Sequence, residues 1–228
     1  MIEMHDVWKT YDNGNDAVQG IDVTISKGEF VYVVGPSGAG KSTFIKLMYR
    51  EERPTKGKIY INGINVDRVK ERRIPQIRRN IGVVFQDFRL LPRKTAFENV
   101  AFAMEVIETP PKRIQRRVNE LFELIGLEDR KNSYPDELSG GEMQRVAIAR
   151  AMVNQPSVVI ADEPTGNLDP ETSWDIMKLF EQINDMGTTV VMATHNRDIV
   201  NEMKKRVIAM ENGQIVRDEL RGEYGYEA

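Results

Sequence analysis

The sequence predicts an α/β fold with a mostly parallel core sheet, and three features of its apolar pattern support this fold class. Short runs rich in β-branched residues recur along the chain, each followed by polar or glycine-rich residues and then by helical periodicity. Alternating segments near the amino terminus predict half-buried strands of a smaller antiparallel sheet. Between residues 87 and 153 the apolar spacing is helical, which predicts an α-helical subdomain inserted into the core.

The expected elements follow from these patterns. The predicted core strands are 30–34, 81–85, 158–161 and 188–193, and the predicted strands of the antiparallel layer are 2–9, 17–26 and 58–62. The pair Asn212-Gly213 tolerates positive φ angles and predicts a tight hairpin. An apolar stripe from Ile114 to Ile125 predicts a helix that ends at Gly126. The last ten residues are expected to form a short tail.

We expect the whole chain, residues 1–228, to form a single domain. Its α/β core and antiparallel layer would comprise residues 1–86 and 154–228, and its helical subdomain residues 87–153. A length of 228 residues with 40% hydrophobic content excludes a disordered or fibrous chain.

The composition also excludes several function classes. The chain has 32 Lys and Arg against 35 Asp and Glu, and this balance gives no reason to expect a general nucleic-acid binder. It contains no cysteine, which excludes a disulfide framework, a thiolate metal site and a cysteine nucleophile. Its longest apolar runs are strand-sized and fall far short of the ~20 residues that a membrane-spanning helix needs. A membrane role would therefore require a partner.

Residues 35–42 read Gly-Pro-Ser-Gly-Ala-Gly-Lys-Ser and fit the phosphate-loop pattern G-x-x-x-x-G-K-[ST] between a predicted strand and a predicted helix. In such a loop successive backbone N–H groups point at phosphates, the lysine reaches the β/γ oxygens and the serine ligates magnesium. A glycine-rich surface turn is the alternative, and eight positions in register count against it. The expected ATP-binding residues are Gly35, Pro36, Ser37, Gly38, Ala39, Gly40, Lys41, Ser42 and Thr43.

Two adjacent acids, Asp162 and Glu163, follow the predicted strand 158–161 at the sheet edge where α/β folds bind ligands. We expect Asp162 to complete the magnesium shell and Glu163 to orient the attacking water or accept its proton. The alternative is a helix N-cap followed by a first-turn glutamate, but capping accounts for only one of the two acids.

Residues 138–142 read Leu-Ser-Gly-Gly-Glu at the start of a predicted helix. Ser139 and Glu142 have the spacing of a capping box, which is sufficient as a structural role. Gly140 and Gly141 each lower helix propensity by about 1 kcal/mol, so we expect some group to approach the backbone closely there. A phosphate is the obvious candidate.

Taken together, these three motifs resemble the nucleotide-binding domain of ABC ATPases, which are P-loop NTPases with a RecA-like core, and the resemblance covers nearly the whole chain. It implies ATP and Mg²⁺ as cofactors and ATP hydrolysis as the activity. It also implies that Tyr11 stacks on adenine, that Gln86 joins magnesium and water to the helical subdomain, and that His195 contacts the γ-phosphate. The alternatives are a surface tyrosine for Tyr11 and a surface histidine for His195, and Gln86 alone carries no signal.

The resemblance further implies a head-to-tail homodimer that holds two ATP molecules between its subunits. Each site would then receive Ser139, Gly140 and Gly141 from the opposite copy. Asp169 would lie in the dimer loop, although Pro170 after it also makes it a good helix N-cap. The residue before Leu168 is Asn167, where many members have a small residue, so the coupling between subunits is expected to differ in detail.

Within the family, segments 84–92 and 138–145 and the compact length resemble the bacterial cell-division members. This implies an FtsX-like integral membrane partner, control of peptidoglycan hydrolysis, and a peripheral location at the cytoplasmic face of the plasma membrane. The alternatives are the ATPase of a lipoprotein-releasing or macrolide-exporting system and, more distantly, a nucleic-acid-associated ABC ATPase, although no nucleic acid is expected. The basic stretches 68–79 and 112–117 are either solvated helix faces, which we favour, or surfaces near anionic lipid headgroups.

Overall fold

The computed structural model describes residues 1–225 and contains two sheets and seven α-helices in that part of the chain. The strands are β1 (Ile2–Thr10), β2 (Asp16–Ile25), β3 (Phe30–Val34), β4 (Lys56–Ile61), β5 (Ile64–Asn65), β6 (Ile81–Phe85), β7 (Val158–Asp162), β8 (Thr189–Ala193), β9 (Arg206–Glu211) and β10 (Gln214–Glu219). The helices are α1 (Lys41–Met48), α2 (Ile74–Arg78), α3 (Ala96–Glu105), α4 (Pro111–Ile125), α5 (Gly140–Met152), α6 (Pro170–Asp185) and α7 (Arg197–Met203).

The core sheet has the strand order β10-β9-β3-β8-β7-β6. Its strands are parallel except for β10, which forms an antiparallel hairpin with β9. All residues of β3 and β8 are buried, which explains their continuous apolar sequences, since a strand covered on both faces has no polar side to alternate with. The predicted α/β fold with a mostly parallel core sheet is confirmed.

The second sheet is antiparallel, with the order β2-β1-β4-β5. Its first three strands were predicted, whereas β5 was not, because two residues are too few to show a periodic pattern. Val31 and Val33 of β3 pack on the side of this sheet and of α1. Tyr32 and Val34 point the other way, into the cluster formed by α3, α4, α5 and α6. The core sheet therefore separates two apolar layers.

Local signals in the sequence set several element boundaries. Gly126 ends α4 in the left-handed conformation, with φ of 66°. Asn212 and Gly213 also have positive φ and join β9 to β10 as predicted. Helices α3, α4 and α5 lie between β6 and β7 in the chain, within the stretch where helical spacing was predicted. No helix in residues 1–225 is both long and apolar enough to cross a bilayer.

The expected tail is only partly described, because residues 226–228 lie outside the part of the chain that the structure describes. Hydrogen bonds anchor the described part of the tail to the rest of the fold. Arg217 donates to the carbonyl oxygens of Glu223 and Gly225, and the backbone N–H of Tyr224 donates to Asn201 Oδ1 over 2.6 Å. This segment therefore returns to the core sheet and α7.

Phe122 tests the packing of the helical layer. It is fully buried in α4 and stacks on Phe97 with ring centroids 6.5 Å apart. Phe122→Ala should lower the free energy of unfolding by about 3–5 kcal/mol, because it removes buried apolar contacts and leaves a cavity. Urea denaturation of the nucleotide-free chain measures this loss. Phe102, which is 41% exposed, is the control, and Phe102→Ala should cost less than about 1 kcal/mol; equal losses would contradict the packing described.

Candidate active site

A cavity of about 520 Å³ opens at the carboxyl end of β3, and the loop between β3 and α1 forms most of its wall together with the first turn of α1. Two glycines give this loop its shape. A Cβ atom at Gly35 would lie 2.2 Å from the carbonyl oxygen of Met210, and one at Gly40 would lie 2.2 Å from that of Ala17. Both residues also have positive φ, so only glycine fits either position without strain.

Lys41 is held inside this loop by its own backbone. Its Nζ donates to the carbonyl oxygens of Gly35 and Pro36 over 2.8 and 2.9 Å. Burial lowers the pKa of Lys41, while the charges of Glu163 and Asp162 act in the opposite direction. Helix α1 begins at Lys41 with no side-chain cap and no acid in its first turn, so its N–H groups are available to an anion. The loop is therefore arranged to accept phosphate oxygens.

Asp162 ends β7 beside this loop, with the side chain of Ser42 near its carboxylate. Burial raises the pKa of Asp162, and the neighbouring charge of Glu163 raises it further. Among residues 1–225 no group of three or more histidines or acids is arranged to hold a metal ion. A hydroxyl and one carboxylate do suit Mg²⁺ when phosphate and water supply its other oxygen ligands. The residues present thus fit the expected magnesium site.

Glu163 has a strained backbone that aims its carboxylate into the cavity. Its φ is 51°, which is unusual for a residue with a side chain, and its N–H donates to the carbonyl oxygen of Ala193 over 3.0 Å. Its Oε2 lies 2.5 Å from His195 Nδ1 and accepts a hydrogen bond from the His195 backbone N–H. Both side chains line the cavity. The structure therefore brings together the acid and the histidine that the sequence singled out.

Tyr11 also lines the cavity, and its hydroxyl lies 3.2 Å from Thr43 Oγ1, at the end of the phosphate loop. Tyr224 lines the same cavity from the carboxy-terminal segment, with the guanidinium of Arg197 5.2 Å from its ring centre. Sequence reasoning missed Tyr224, because it falls in the expected tail and belongs to no motif. Only the return of the chain after β10 brings it to the site.

Gln86 lies outside this cavity. Its amide donates to Asn167 Oδ1 over 3.3 Å, and Asn167 donates back to the Gln86 carbonyl over 3.1 Å. Gln86 also packs on Gly166, where an added Cβ would lie 2.7 Å from its Nε2. The glutamine therefore contacts the segment after Glu163, between β7 and α6.

The Ser-Gly-Gly sequence begins α5, and the predicted capping box between Ser139 and Glu142 is confirmed. Hydrogen bonding to Ser139 lowers the pKa of Glu142. A Cβ at Gly141 would lie 2.5 Å from the Thr172 side chain, and one at Gly140 would lie 3.3 Å from Leu168. Side chains of the same chain, Thr172 and Leu168, thus approach this glycine pair closely. Ser139, Gly140 and Gly141 do not line the cavity of their own chain.

One buried side chain connects α5 to the acids. Gln144 is fully buried, and its Nε2 donates to the carbonyl oxygen of Pro164, directly after Glu163, over 2.6 Å. Sequence reasoning did not single out Gln144, and a lone polar residue among the buried positions of a helix was the only available signal.

Asp169 lies at the other end of the segment between β7 and α6. It accepts the N–H of Thr172 over 2.9 Å, which confirms its N-cap role at α6. Hydrogen bonds with Thr172 lower the pKa of Asp169.

Comparison with protein families and curated proteins gives a consistent result. The family model described as ABC transporter matches residues 18–166. The chain is 66% identical over 225 residues to the cell division ATP-binding protein FtsE of Bacillus subtilis, covering 99% of both chains. It is 54% identical to the protein of that name from Mycobacterium tuberculosis, covering 100% of this chain and 99% of the relative, and 43% identical to that of Escherichia coli, covering 100% of both.

Solved structures agree with this similarity. An ATP-binding cassette solved as a dimer in a post-hydrolysis state with ADP and Pi superposes with a TM-score of 0.88 at 37% identity, covering 97% of this chain and 100% of that one. A subunit of the cbiONQ ABC transporter complex from Clostridium perfringens gives a TM-score of 0.89 at 32% identity, covering 96% and 88%. The fold is thus that of ABC ATPase cassettes.

The desolvated charge of Asp162 predicts a gain in stability when it is removed. Because its pKa is raised on folding, the folded state holds the proton more tightly, and stability falls as pH rises through this pKa. Asp162→Asn should therefore raise the melting temperature of the nucleotide-free chain at pH 7.5, by about 2–4 °C per kcal/mol recovered. The gain should shrink as the pH is lowered and the parental carboxyl takes up its proton.

Differential scanning calorimetry across a pH series measures this effect. Asp198→Asn is a matched control, because Asp198 is an exposed acid whose charge faces water. A melting temperature that falls in Asp162→Asn at neutral pH would contradict the assignment of desolvation as the dominant cause.

Proposed function

Since this chain belongs to the ABC transporter family and is an ATPase, we propose that it is the ATP-hydrolysing subunit of a bacterial cell-division complex. In this proposal it dimerises on binding ATP and transmits its cycle through an FtsX-like integral membrane partner to control peptidoglycan hydrolysis. The observation that carries the proposal is full-length similarity, up to 66% identity, to proteins named for cell division. The chain would act at the cytoplasmic face of the plasma membrane.

Hydrolysis would use the cavity at the phosphate loop. Gly35, Pro36, Ser37, Gly38, Ala39, Gly40, Lys41, Ser42 and Thr43 would hold the triphosphate, with Tyr11 against the base. Lys41 would exchange its two carbonyl partners for phosphate oxygens. Glu163, fixed by its backbone and by His195, would orient water for attack on the terminal phosphorus and accept its proton as the bond to ADP breaks.

Magnesium would be held by Ser42 and Asp162, with Gln86 as a further contact near the attacking water. When bound, the ion neutralises charge that develops on the phosphate oxygens. The proximity of Ser42 to Asp162 and the raised pKa of Asp162 support this assignment, because a buried carboxylate gains most from a cation.

The site would be completed by a second copy of the chain. Ser139, Gly140 and Gly141 lie outside the cavity of their own chain, at the start of α5. The capping box engages the N–H of Glu142 and leaves the N–H groups of Gly140 and Gly141, the first two residues of the helix, for an anion. A head-to-tail pair would bring them to the terminal phosphate of the opposite copy, with Asp169 in the loop between the copies. The dimeric cassette with ADP and Pi supports this arrangement.

Residues 87–153 would act as the subdomain that transmits the conformational change caused by hydrolysis to the membrane partner. Gln86 and Gln144 support this, because both contact the segment after Glu163, one from the end of β6 and the other from α5. Loss of the terminal phosphate would release α5 of the opposite copy and reopen the pair.

Glu163→Gln tests the hydrolytic role. The amide keeps the size of the side chain but cannot accept the proton, so ATP turnover should fall by about 10²–10⁴-fold while ATP binding persists. Size-exclusion chromatography with MgATP should then show a trapped dimer. Glu171→Gln, at an exposed acid in the first turn of α6, is the control and should hydrolyse ATP at the parental rate. Parental turnover in Glu163→Gln would remove this residue from the mechanism.

Ser139→Arg tests the composite site. Combined with Glu163→Gln, the bulky cation at the start of α5 should prevent the dimer from closing and leave ATP binding by the monomer unchanged. Analytical ultracentrifugation with MgATP should therefore show a monomer. If the double variant dimerises like Glu163→Gln alone, the opposite copy does not contribute this helix start.

The partner is tested by affinity purification of the Glu163→Gln chain from membranes with ATP. We expect an FtsX-like integral membrane protein to be retained with ATP and to be lost from the Ser139→Arg double variant. Retention of the membrane subunit of a lipoprotein-releasing or macrolide-exporting system instead would overturn the cell-division assignment and leave the ATPase assignment intact.

A further inference from the structure

A second cavity, of about 440 Å³, lies at the opposite end of the core sheet from the phosphate loop. Arg79 and Asn80 line it just before β6, and residues 153–155 line it just before β7. Because these strands run parallel to β3, their amino ends face away from the carboxyl end that carries the nucleotide cavity. The end of α3 and the first turns of α4 form the remaining wall. The two cavities share no residue.

The charge of this second cavity is strongly positive. Four arginines line it, Arg79, Arg113, Arg116 and Arg117, against the single acid Glu120. Glu120 is shared, because its Oε1 lies 2.9 Å from Arg116 Nε and its Oε2 lies 3.4 Å from Arg117 Nη1. Within residues 1–225 the side chains of Arg79 and Arg113 have neither a hydrogen bond nor an ion pair. Two guanidinium groups therefore remain without a counter-charge.

Arg117 is fixed in place before any ligand arrives. Its Nη2 donates to the carbonyl oxygen of Met152 and its Nε to that of Val153, at the carboxyl end of α5. Only 21% of its side chain is exposed. A guanidinium ordered in this way loses little further freedom when it binds an anion, which favours binding.

The start of α4 breaks the usual charge pattern of a helix amino terminus. Acids are stabilising there, yet the first turn of α4 has none, and Pro110 at the N-cap position offers no side-chain acceptor. Lys112 and Arg113 occupy this turn instead and add to the positive end of the helix dipole. An anion in the cavity would meet both the arginines and this helix end. A departure from the usual charge preference of a helix terminus that does not stabilise the fold is typical of functional sites.

We propose that this cavity binds a phosphate-bearing anion, either the phosphodiester headgroup of an anionic lipid or a free diphosphate. Guanidinium groups bind phosphate oxygens in pairs, and the two unpaired arginines come from segments more than thirty residues apart in the sequence. The basic stretches 68–79 and 112–117, favoured above as solvated helix faces, thus converge at Arg79 and Arg113. For Arg79 and Arg113 we therefore favour a phosphate-binding role over a solvated helix face.

The test compares two double variants of the full chain. Arg79→Gln with Arg113→Gln removes the unpaired charges of the cavity. Arg93→Gln with Arg221→Gln removes the same charge from exposed arginines outside it and serves as the matched control. Neither pair touches the nucleotide cavity, so both double variants should hydrolyse ATP at the parental rate, which also checks that they fold.

Two arms distinguish the sources of phosphate. In the first, nucleotide-free chains are sedimented with phosphatidylglycerol vesicles, with phosphatidylcholine vesicles as the uncharged reference. In the second, diphosphate is titrated by calorimetry into the same chains carrying Lys41→Ala, which weakens phosphate binding at the phosphate loop. Affinity in at least one arm should fall about tenfold or more in the cavity variant and less than about twofold in the control.

A loss of affinity in the vesicle arm alone identifies a lipid headgroup as the ligand, and a loss in the diphosphate arm alone identifies a free phosphate. Losses in both arms mean that the cavity binds phosphate groups from either source. Equal losses in the two double variants would mean unspecific attraction and overturn the proposal. It is also overturned if neither arm gives saturable binding.

Discussion

The segment that joins β7 to α6 is the constraint on which the rest of the site depends. Glu163 adopts a left-handed backbone there, and its N–H is held by Ala193 of β8. The next carbonyl oxygen, of Pro164, accepts the buried amide of Gln144, and Asn167 exchanges two hydrogen bonds with Gln86. A displacement of this segment would therefore change its contacts with α5 and with the end of β6.

The carboxyl end of the core sheet carries charged groups that lower the stability of the nucleotide-free chain. Two adjacent acids lie at the partly buried end of β7, where burial, and after it the neighbouring charge of Glu163, raise the pKa of Asp162. The charge of Lys41 offsets part of the repulsion between the two acids, but its Nζ donates hydrogen bonds to carbonyl oxygens of its own loop. Under the proposed function, a bound triphosphate and metal would offset the cost of these partly buried charges, so ligand binding should stabilise the chain.

The elements that could be predicted are those set by local rules. The phosphate loop, the capping box at Ser139, the N-cap at Asp169 and the Asn212-Gly213 turn each depend on a few neighbouring residues, so the sequence alone reveals them. Gln144 and Tyr224 could not be found in this way, because only tertiary packing brings a residue of α5 to Pro164 and a residue after β10 to the cavity. The glycine pair shows the same limit, since its close contacts with Leu168 and Thr172 come from distant segments.

The central claim is that the start of α5 in one copy completes the nucleotide site of another. A structure of the Glu163→Gln chain with MgATP tests it most directly. We expect the Ser139 hydroxyl and the N–H groups of Gly140 and Gly141 to lie about 3 Å from terminal phosphate oxygens of the nucleotide held by the opposite copy. A fully assembled, ATP-bound complex in which these groups face solvent or only their own chain would contradict it.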